Sequence, residues 1–292
     1  MKKFLTSIIL FGLSAITLML VLVISTAWLT KQTFDFQLPL KKNILVLGNS
    51  HPECAINDKI LPDVYNLAQS GSGYFYDYLK AKEIIKNNPQ IDTLIVGYSY
   101  GDIAKNMDSW IIGKDKLKFK IRNFFFLFEL EDYILLLKAN PIEVLVNTPQ
   151  TIFYNLKMKR EGYKYLGGFK RLDESKLRQA KKLIDTFKPD TSQGYSQYQI
   201  NYLLKLYEIC NKGDIKLILL NTPIHPLLDS IQTPLKKSYH EFAEKKLPKA
   251  LLVNHSNFKL AEEYYRDLDH LNSRGANLYT RFIKANGFKN HK

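Results

Sequence analysis

Three short blocks of this 292-residue chain hold residue types that could carry out acyl transfer. They are Gly48-Asn49-Ser50-His51, Asn66-Leu67-Ala68-Gln69-Ser70-Gly71 and Asp267-Leu268-Asp269-His270-Leu271-Asn272. A free serine is a poor nucleophile at neutral pH and needs a base beside its hydroxyl. His270 is the candidate base for Ser50, and Asp267 can accept a hydrogen bond from the second imidazole nitrogen and fix the ring. The backbone N–H groups of Ser50 and Gly71 are candidate oxyanion donors, because glycine allows close backbone approach. The scheme requires Ser50 Oγ to lie about 3 Å from the His270 ring, although the two residues are far apart in the chain.

Each residue also has a plainer reading. Ser50 at a strand end can simply cap a helix. Asp269 rivals Asp267 as the partner of His270. His51, beside the nucleophile, and His225, in Asn221-Thr222-Pro223-Ile224-His225-Pro226, are assigned to the substrate pocket, with packing as the alternative. His51, His225 and His270 lack close ligand spacing, so no metal is expected. Gly71-Ser72-Gly73 has no Lys-Ser/Thr after it, which disfavours phosphate binding, and no cofactor is expected. The two cysteines, Cys54 and Cys210, form no CxxC pair; one disulfide is compatible, and two buried free thiols are favoured.

A parallel sheet must position these blocks. Short apolar runs at Asn43–Gly48, Val64–Ala68, Asp92–Tyr98, Ile215–Asn221 and Ala250–Asn254 read as buried strands. Helical spacing is evident at Tyr74–Asn87, Tyr198–Asn211 and Ser273–Lys284. Alternation of the two implies an α/β fold, a three-layer α/β/α sandwich with a parallel sheet of about five strands. A helical insert at about 113–190 contains a helix or helix pair at Phe119–Leu137 and another helix at Asp173–Phe187; it is expected to act as a lid or substrate-facing subdomain. The domain proper is expected to run over 43–292, after a linker at 32–42.

Phe4 to Thr30 carries no charge and follows Lys2 and Lys3. About 20 apolar residues cross a bilayer, so residues 1–31 read as an uncleaved membrane anchor, with Ser25-Thr26-Ala27 leaving a signal peptide as the alternative. The flanking charges weakly favour the remaining chain outside the cytoplasm. Net charge is +14, and Gly113–Lys188 holds 17 Lys/Arg against 9 Asp/Glu. Such a surface suits anionic lipid or a charged glycan, and no nucleic-acid motif accompanies it.

Gly48-x-Ser50, Gly71 and Asp267-x-x-His270, the last extended by Leu271-Asn272 and Gly275-Ala276, together resemble the SGNH/GDSL hydrolase superfamily. The resemblance covers roughly residues 43 to 285, leaving the insert unaccounted for. It implies a flavodoxin-like fold, a Ser50-His270-Asp267 triad and no cofactor. Two departures stand out: Asn49 replaces the usual Asp, and the third block (Gly97-Tyr98-Ser99-Tyr100-Gly101-Asp102) lacks the usual oxyanion Asn, leaving Ser99 as substitute donor. Membrane-tethered proteins of similar layout serve alginate O-acetylation and teichoic acid D-alanylation. By that resemblance the expected function is an extracytoplasmic esterase or O-acyltransferase acting on an acylated envelope glycan or small ester, with a membrane acyltransferase as a partner. The alternative is a catalytically weak polysaccharide-binding or scaffold protein of an acylation system.

Overall fold

The computed structural model describes residues 1–184 and 194–290. Along the chain, α1 (Lys2–Thr33) precedes β1 (Ile44–Leu47), α2 (Ser50–Ala55), β2 (Val64–Asn66), α3 (Tyr74–Asn87), β3 (Thr93–Gly97) and α4 (Ser109–Ile112). Next come α5 (Lys114–Phe124), α6 (Leu130–Ala139), α7 (Pro141–Asn147), α8 (Thr151–Glu161) and α9 (Leu177–Lys182). The chain continues through α10 (Gln197–Lys212), β4 (Lys216–Asn221), α11 (Pro226–Ile231), α12 (Thr233–Lys246), β5 (Leu251–Asn254) and α13 (Ser273–Asn286).

Apart from the short β2 (Val-Tyr-Asn), the strands are built mainly of Leu, Ile and Val because both faces of the sheet are covered. Leu45, Val46, Leu47, Leu94, Ile95 and Val96 are fully buried. All pairings are parallel, in the order β2-β1-β3-β4-β5. β1 and β3 are therefore neighbours, with Val46 opposite Ile95, while β2 lies on the other side of β1. Connections leave this pair in opposite directions, which opens a crevice beyond the carboxyl ends of the strands. The loops after β1 and β3, carrying Ser50 and Ser99, start there.

Two compact units form. One comprises Phe36–Ile111 and Leu166–Lys292 and holds the whole sheet. The other comprises Met1–Asp35 and Ile112–Tyr165, joining α1 to α5–α8. Within it, Thr30 Oγ1 donates to the Asn155 carbonyl at 2.9 Å, and Phe34 packs on Phe126 at a centroid distance of 5.3 Å. The 32-residue α1, with a most apolar window of mean hydropathy 2.7, is long and apolar enough to cross a membrane.

The expected insert of about 113–190 divides differently in the structure. Leu177 is in the core of the sheet unit, with Phe169, Ala180 and Ile184 packed against it, so the chain from Leu166 belongs there. Apolar residues on that stretch find the sheet's own core instead of a separate one. The Phe119–Leu137 region is a helix pair, α5 and α6, with a tight turn at Phe125–Leu127. Within Asp173–Ile184 the α-helix is confined to α9, and residues 185–187 of the expected helix lie outside the described residues.

Candidate active site

The turn out of β1 needs a glycine. Gly48 has φ of +128°, and a Cβ there would stand 2.9 Å from the Gly97 nitrogen and 3.0 Å from Pro52 Cγ. Asn49 then caps α2, its side-chain oxygen accepting from the His51 N–H at 3.0 Å. Ser50 is the first residue of that helix, which holds its hydroxyl at the sheet edge.

The third block is a local turn organised by one carboxylate oxygen. Asp267 Oδ1 accepts the backbone N–H groups of Asp269 (3.0 Å) and His270 (2.9 Å), and lies 2.9 Å from His270 Nδ1. His270 Nε2 lies 2.8 Å from Ser50 Oγ. With Nδ1 protonated toward Asp267, Nε2 is the free base facing the hydroxyl. Burial pushes the Asp267 carboxyl up, but bonds from the His270 ring and the Asp269 and His270 backbone outweigh it and hold it at about 2. Arg266 Nη1 donates to its other oxygen at 2.9 Å. A carboxylate that stays ionised can steady the ring and the positive charge the ring gains on accepting a proton.

Asp269 does not make that bond. Its carboxyl lies 4.0 Å from His51 Nε2, and burial raises its pKa. His51 lies beside His270, with ring centroids 5.5 Å apart and the planes tilted by 53°. Burial and the neighbouring His270 bring His51 down to about 3, so it is neutral at physiological pH. Its Nδ1 is buried and makes no hydrogen bond among the described residues.

Gly71 adopts φ of +68° in the loop after β2. That loop is fixed from three sides: Ser70 donates to Glu53, Ser72 donates to Asp77 at 3.1 Å, and Lys80 Nζ donates to the Leu67 carbonyl at 2.7 Å. Lys80 also pairs with Asp77 at 3.0 Å, fully buried. Ser99 is buried, its backbone N–H donating to Asp102, while its hydroxyl has no hydrogen-bond partner among the described residues. His225 is 4% exposed and caps α11, its Nδ1 accepting from the Leu227 N–H at 3.2 Å. His255 is buried between the Tyr279 hydroxyl and the Lys289 carbonyl. Cys54 and Cys210 are free, buried thiols, both pushed up to about 12 by burial.

Two supports escaped sequence reasoning. Asp102 is a buried carboxyl that gathers Asn49 Nδ2 at 3.0 Å, the Ser99 N–H at 2.6 Å and the Tyr74 hydroxyl at 3.4 Å. It thereby ties the Ser50 loop to the Ser99 loop. The second is an extended strap over residues 168–176 whose backbone touches the second block and residues next to the first and third. Gly168 N–H donates to the Ala68 carbonyl, Lys170 N–H to the Glu53 carbonyl and Lys176 N–H to the Arg266 carbonyl. No periodicity marks such a segment, so only its glycines carry a signal.

Gly167 starts the strap at φ +141°, and a Cβ there would meet the Leu67 carbonyl oxygen at 2.3 Å. Gly167→Ala is therefore expected to cost about 3 kcal/mol of stability, from backbone strain plus a contact that only backbone movement relieves. Urea unfolding measures it, and an unchanged midpoint would show that the close approach is dispensable.

A protein-family model matches residues 132–290, more than half of the chain, and the chain belongs to the family that this model defines. The match includes Asp267 and His270 and leaves out Ser50. None of the curated proteins matches the chain in sequence. Among solved structures, the chain is similar to one provisionally described as a platelet activating factor from Streptococcus pneumonia, at 11% identity and a TM-score of 0.43, covering 96% of this chain and 98% of that one. A GDSL-like lipase from Bacteroides thetaiotaomicron is similar at 11% identity and a TM-score of 0.41, with 88% and 92% covered. A third, provisionally described as an acylhydrolase from Bacteroides fragilis, has 11% identity and a TM-score of 0.37, with 84% and 86% covered.

Proposed function

We propose that this protein is a membrane-tethered serine esterase or O-acyltransferase that acts on acyl esters of a cell-envelope glycan. The observation that carries the reading is the unbroken chain from Ser50 Oγ through His270 to Asp267, at 2.8 Å and 2.9 Å. Ser50 Oγ attacks the ester carbonyl while His270 Nε2 takes its proton. The tetrahedral intermediate collapses as the same proton passes to the departing alkoxide, which leaves an acyl group on Ser50. Water or a sugar hydroxyl, deprotonated by His270, then attacks the acyl-enzyme and restores the serine.

Negative charge on the carbonyl oxygen requires preorganised donors. The backbone N–H groups of Ser50 and Gly71 are assigned that role, with the Ser99 hydroxyl as the third donor. Support for Ser99 is a buried proton with no partner among the described residues, in the loop following the strand next to β1. Neutral His51 lines the acyl side without adding positive charge that would compete with protonation of His270. His225, occupied in capping α11, is a wall of the site at most.

The anchor is assigned to α1, with the sheet unit outside the cytoplasm, on the length and apolarity of that helix and the Lys2-Lys3 pair before it. An extracytoplasmic enzyme held at the membrane meets envelope polymers, which makes glycan esters the favoured substrates and a membrane acyltransferase a fitting partner.

The direct test is covalent capture. Incubation with an activated acetyl ester should add one acetyl group to the peptide containing Ser50, visible by mass spectrometry, and Ser50→Ala should abolish that adduct. An adduct on another residue would remove the mechanism. Glycan binding without any adduct would favour the scaffold alternative, to which the missing third-block Asn lends its support.

A further inference from the structure

In the unit built from α1 and α5–α8, the interior mixes apolar side chains such as Leu117, Ile121, Phe124, Leu136 and Val144 with buried polar ones, while part of the outer surface is apolar. Lys120, Asn123, Asn147, Thr148, Thr151 and Asn155 are all 4% exposed or less. Meanwhile Ile142 is 72% exposed, Leu145 59% and Val146 60%, which is an i, i+3, i+4 stripe along the outer face of α7. On α8 the outward pair is Phe153 at 75% and Leu156 at 51%, again three apart. Leu130, 75% exposed, and Ile134 continue the pattern on α6. Hydrocarbon exposed along three successive helices, over an interior that also holds polar groups, is the arrangement expected of a surface that meets lipid.

This surface is continuous with α1. The last third of that helix is bonded to α8: Asn155 Nδ2 donates to Thr26 Oγ1 at 3.3 Å, and Thr30 Oγ1 donates to the Asn155 carbonyl at 2.9 Å. A bilayer's hydrocarbon takes up about 20 helical residues, so a 32-residue helix beginning at Lys2 leaves its α8-bound part at the membrane boundary. Trp28, 63% exposed on that part, is the residue type that favours the headgroup level. Charge agrees with the placement. Ile112–Tyr165 carries 10 Lys/Arg against 6 Asp/Glu, a net +4 that suits anionic headgroups.

From the outward apolar faces of α6, α7 and α8 and their attachment to the end of α1, we infer that these helices lie in the bilayer interface and form a lipid-docking surface, so that the unit is seated on the membrane instead of hanging from a single flexible tether. The inference rests on the reading of α1 as an anchor. Lipid is the favoured occupant over a second membrane protein because α1 alone brings this surface to the bilayer, with no further partner needed.

The test uses the full chain, reconstituted in vesicles of phosphatidylcholine and phosphatidylglycerol. An environment-sensitive fluorophore is attached to Leu13→Cys in α1, to Leu145→Cys or Phe153→Cys on the docking face, or to Lys237→Cys in the sheet unit. All four positions are exposed, and both native thiols are buried. The labels at 145 and 153 are expected to be quenched by spin-labelled lipid at least twofold more than the one at 237, and to be shielded from aqueous iodide. If Leu13 is quenched by lipid while 145 and 153 respond only to iodide, the anchor stands and the docking surface is overturned. If Leu13 also fails to see lipid, both fall. Protection of 145 and 153 in native membranes but not in pure lipid vesicles would make a membrane protein the occupant and likewise overturn the inference.

Discussion

Ser50→Ala is expected to lower kcat/KM for a short-chain ester by about 10⁴-fold, a loss of ~5.4 kcal/mol of transition-state stabilisation. His270→Ala should cost about as much, and the double variant should be no worse than either single one. The reason lies in the geometry. Among the described residues His270 Nε2 bonds the Ser50 hydroxyl alone, at 2.8 Å, so the base has nothing to activate once the hydroxyl is gone, and the hydroxyl has nowhere to send its proton once the ring is gone. Residues that work as one unit lose their joint contribution once. Residual activity in all three variants would come from the oxyanion donors acting on a water nucleophile. Purified protein, a chromogenic acetyl ester and initial rates suffice. Multiplicative losses in the double variant would mean that the two residues act independently, and the proton path drawn here would be wrong.

How much of this arrangement could be read from the chain differs between its parts. Four of the five strands are legible because each is mainly a run of Leu, Ile and Val too short for a helix and closed by Gly or Asn, a composition that sheet burial on both faces demands; β2, Val-Tyr-Asn, carries the weakest signal. The meeting of Ser50 and His270 is legible because parallel strands send their loops to one edge, so residues on two such loops can meet. The supports were not legible, since each depends on a partner remote in sequence. Asp102 meets Asn49 across 53 residues, and the strap at 168–176 meets Ala68, Glu53 and Arg266 by backbone groups whose side chains are irrelevant. The boundary of the insert failed for a related reason. Helical periodicity marks the stretch that holds α9 as a helix and says nothing of which core it joins.

Asn49 shows how a departure from a familiar pattern can be explained by a neighbour. Its amide has both kinds of polar atom, and both are used: the oxygen caps α2 and the nitrogen donates to Asp102. An aspartate at 49 would still cap the helix, but it has no amide N–H to give Asp102, and one of the two buried carboxyls would have to keep a proton. The choice of Asn at 49 and of Asp at 102 are therefore one decision, made across β1 and β3.

The second large effect is expected at Asp102 itself. Burial raises its pKa to about 7, against the pull of the donors from Ser99, Tyr74 and Asn49. When Asp102 is neutral its proton has a place to go. Tyr74 has one proton for two neighbours, and when it donates to the Gly97 carbonyl at 3.0 Å its lone pair can accept from Asp102. A carboxyl whose folded pKa is raised binds its proton more tightly in the folded state than in the unfolded one. Its contribution to stability is thus fully present below the unfolded value near 4 and declines as pH rises through about 7. Asp102→Ala, which strands the Asn49 amide and the Ser99 N–H in a dry site, should cost about 3 kcal/mol at pH 5 and distinctly less at pH 8, where the parent has already lost the proton-linked share. Urea titrations of both proteins at the two pH values measure the difference directly. Equal losses at pH 5 and pH 8 would show that Asp102 does not change its protonation across that range, and that its three donors hold it ionised throughout.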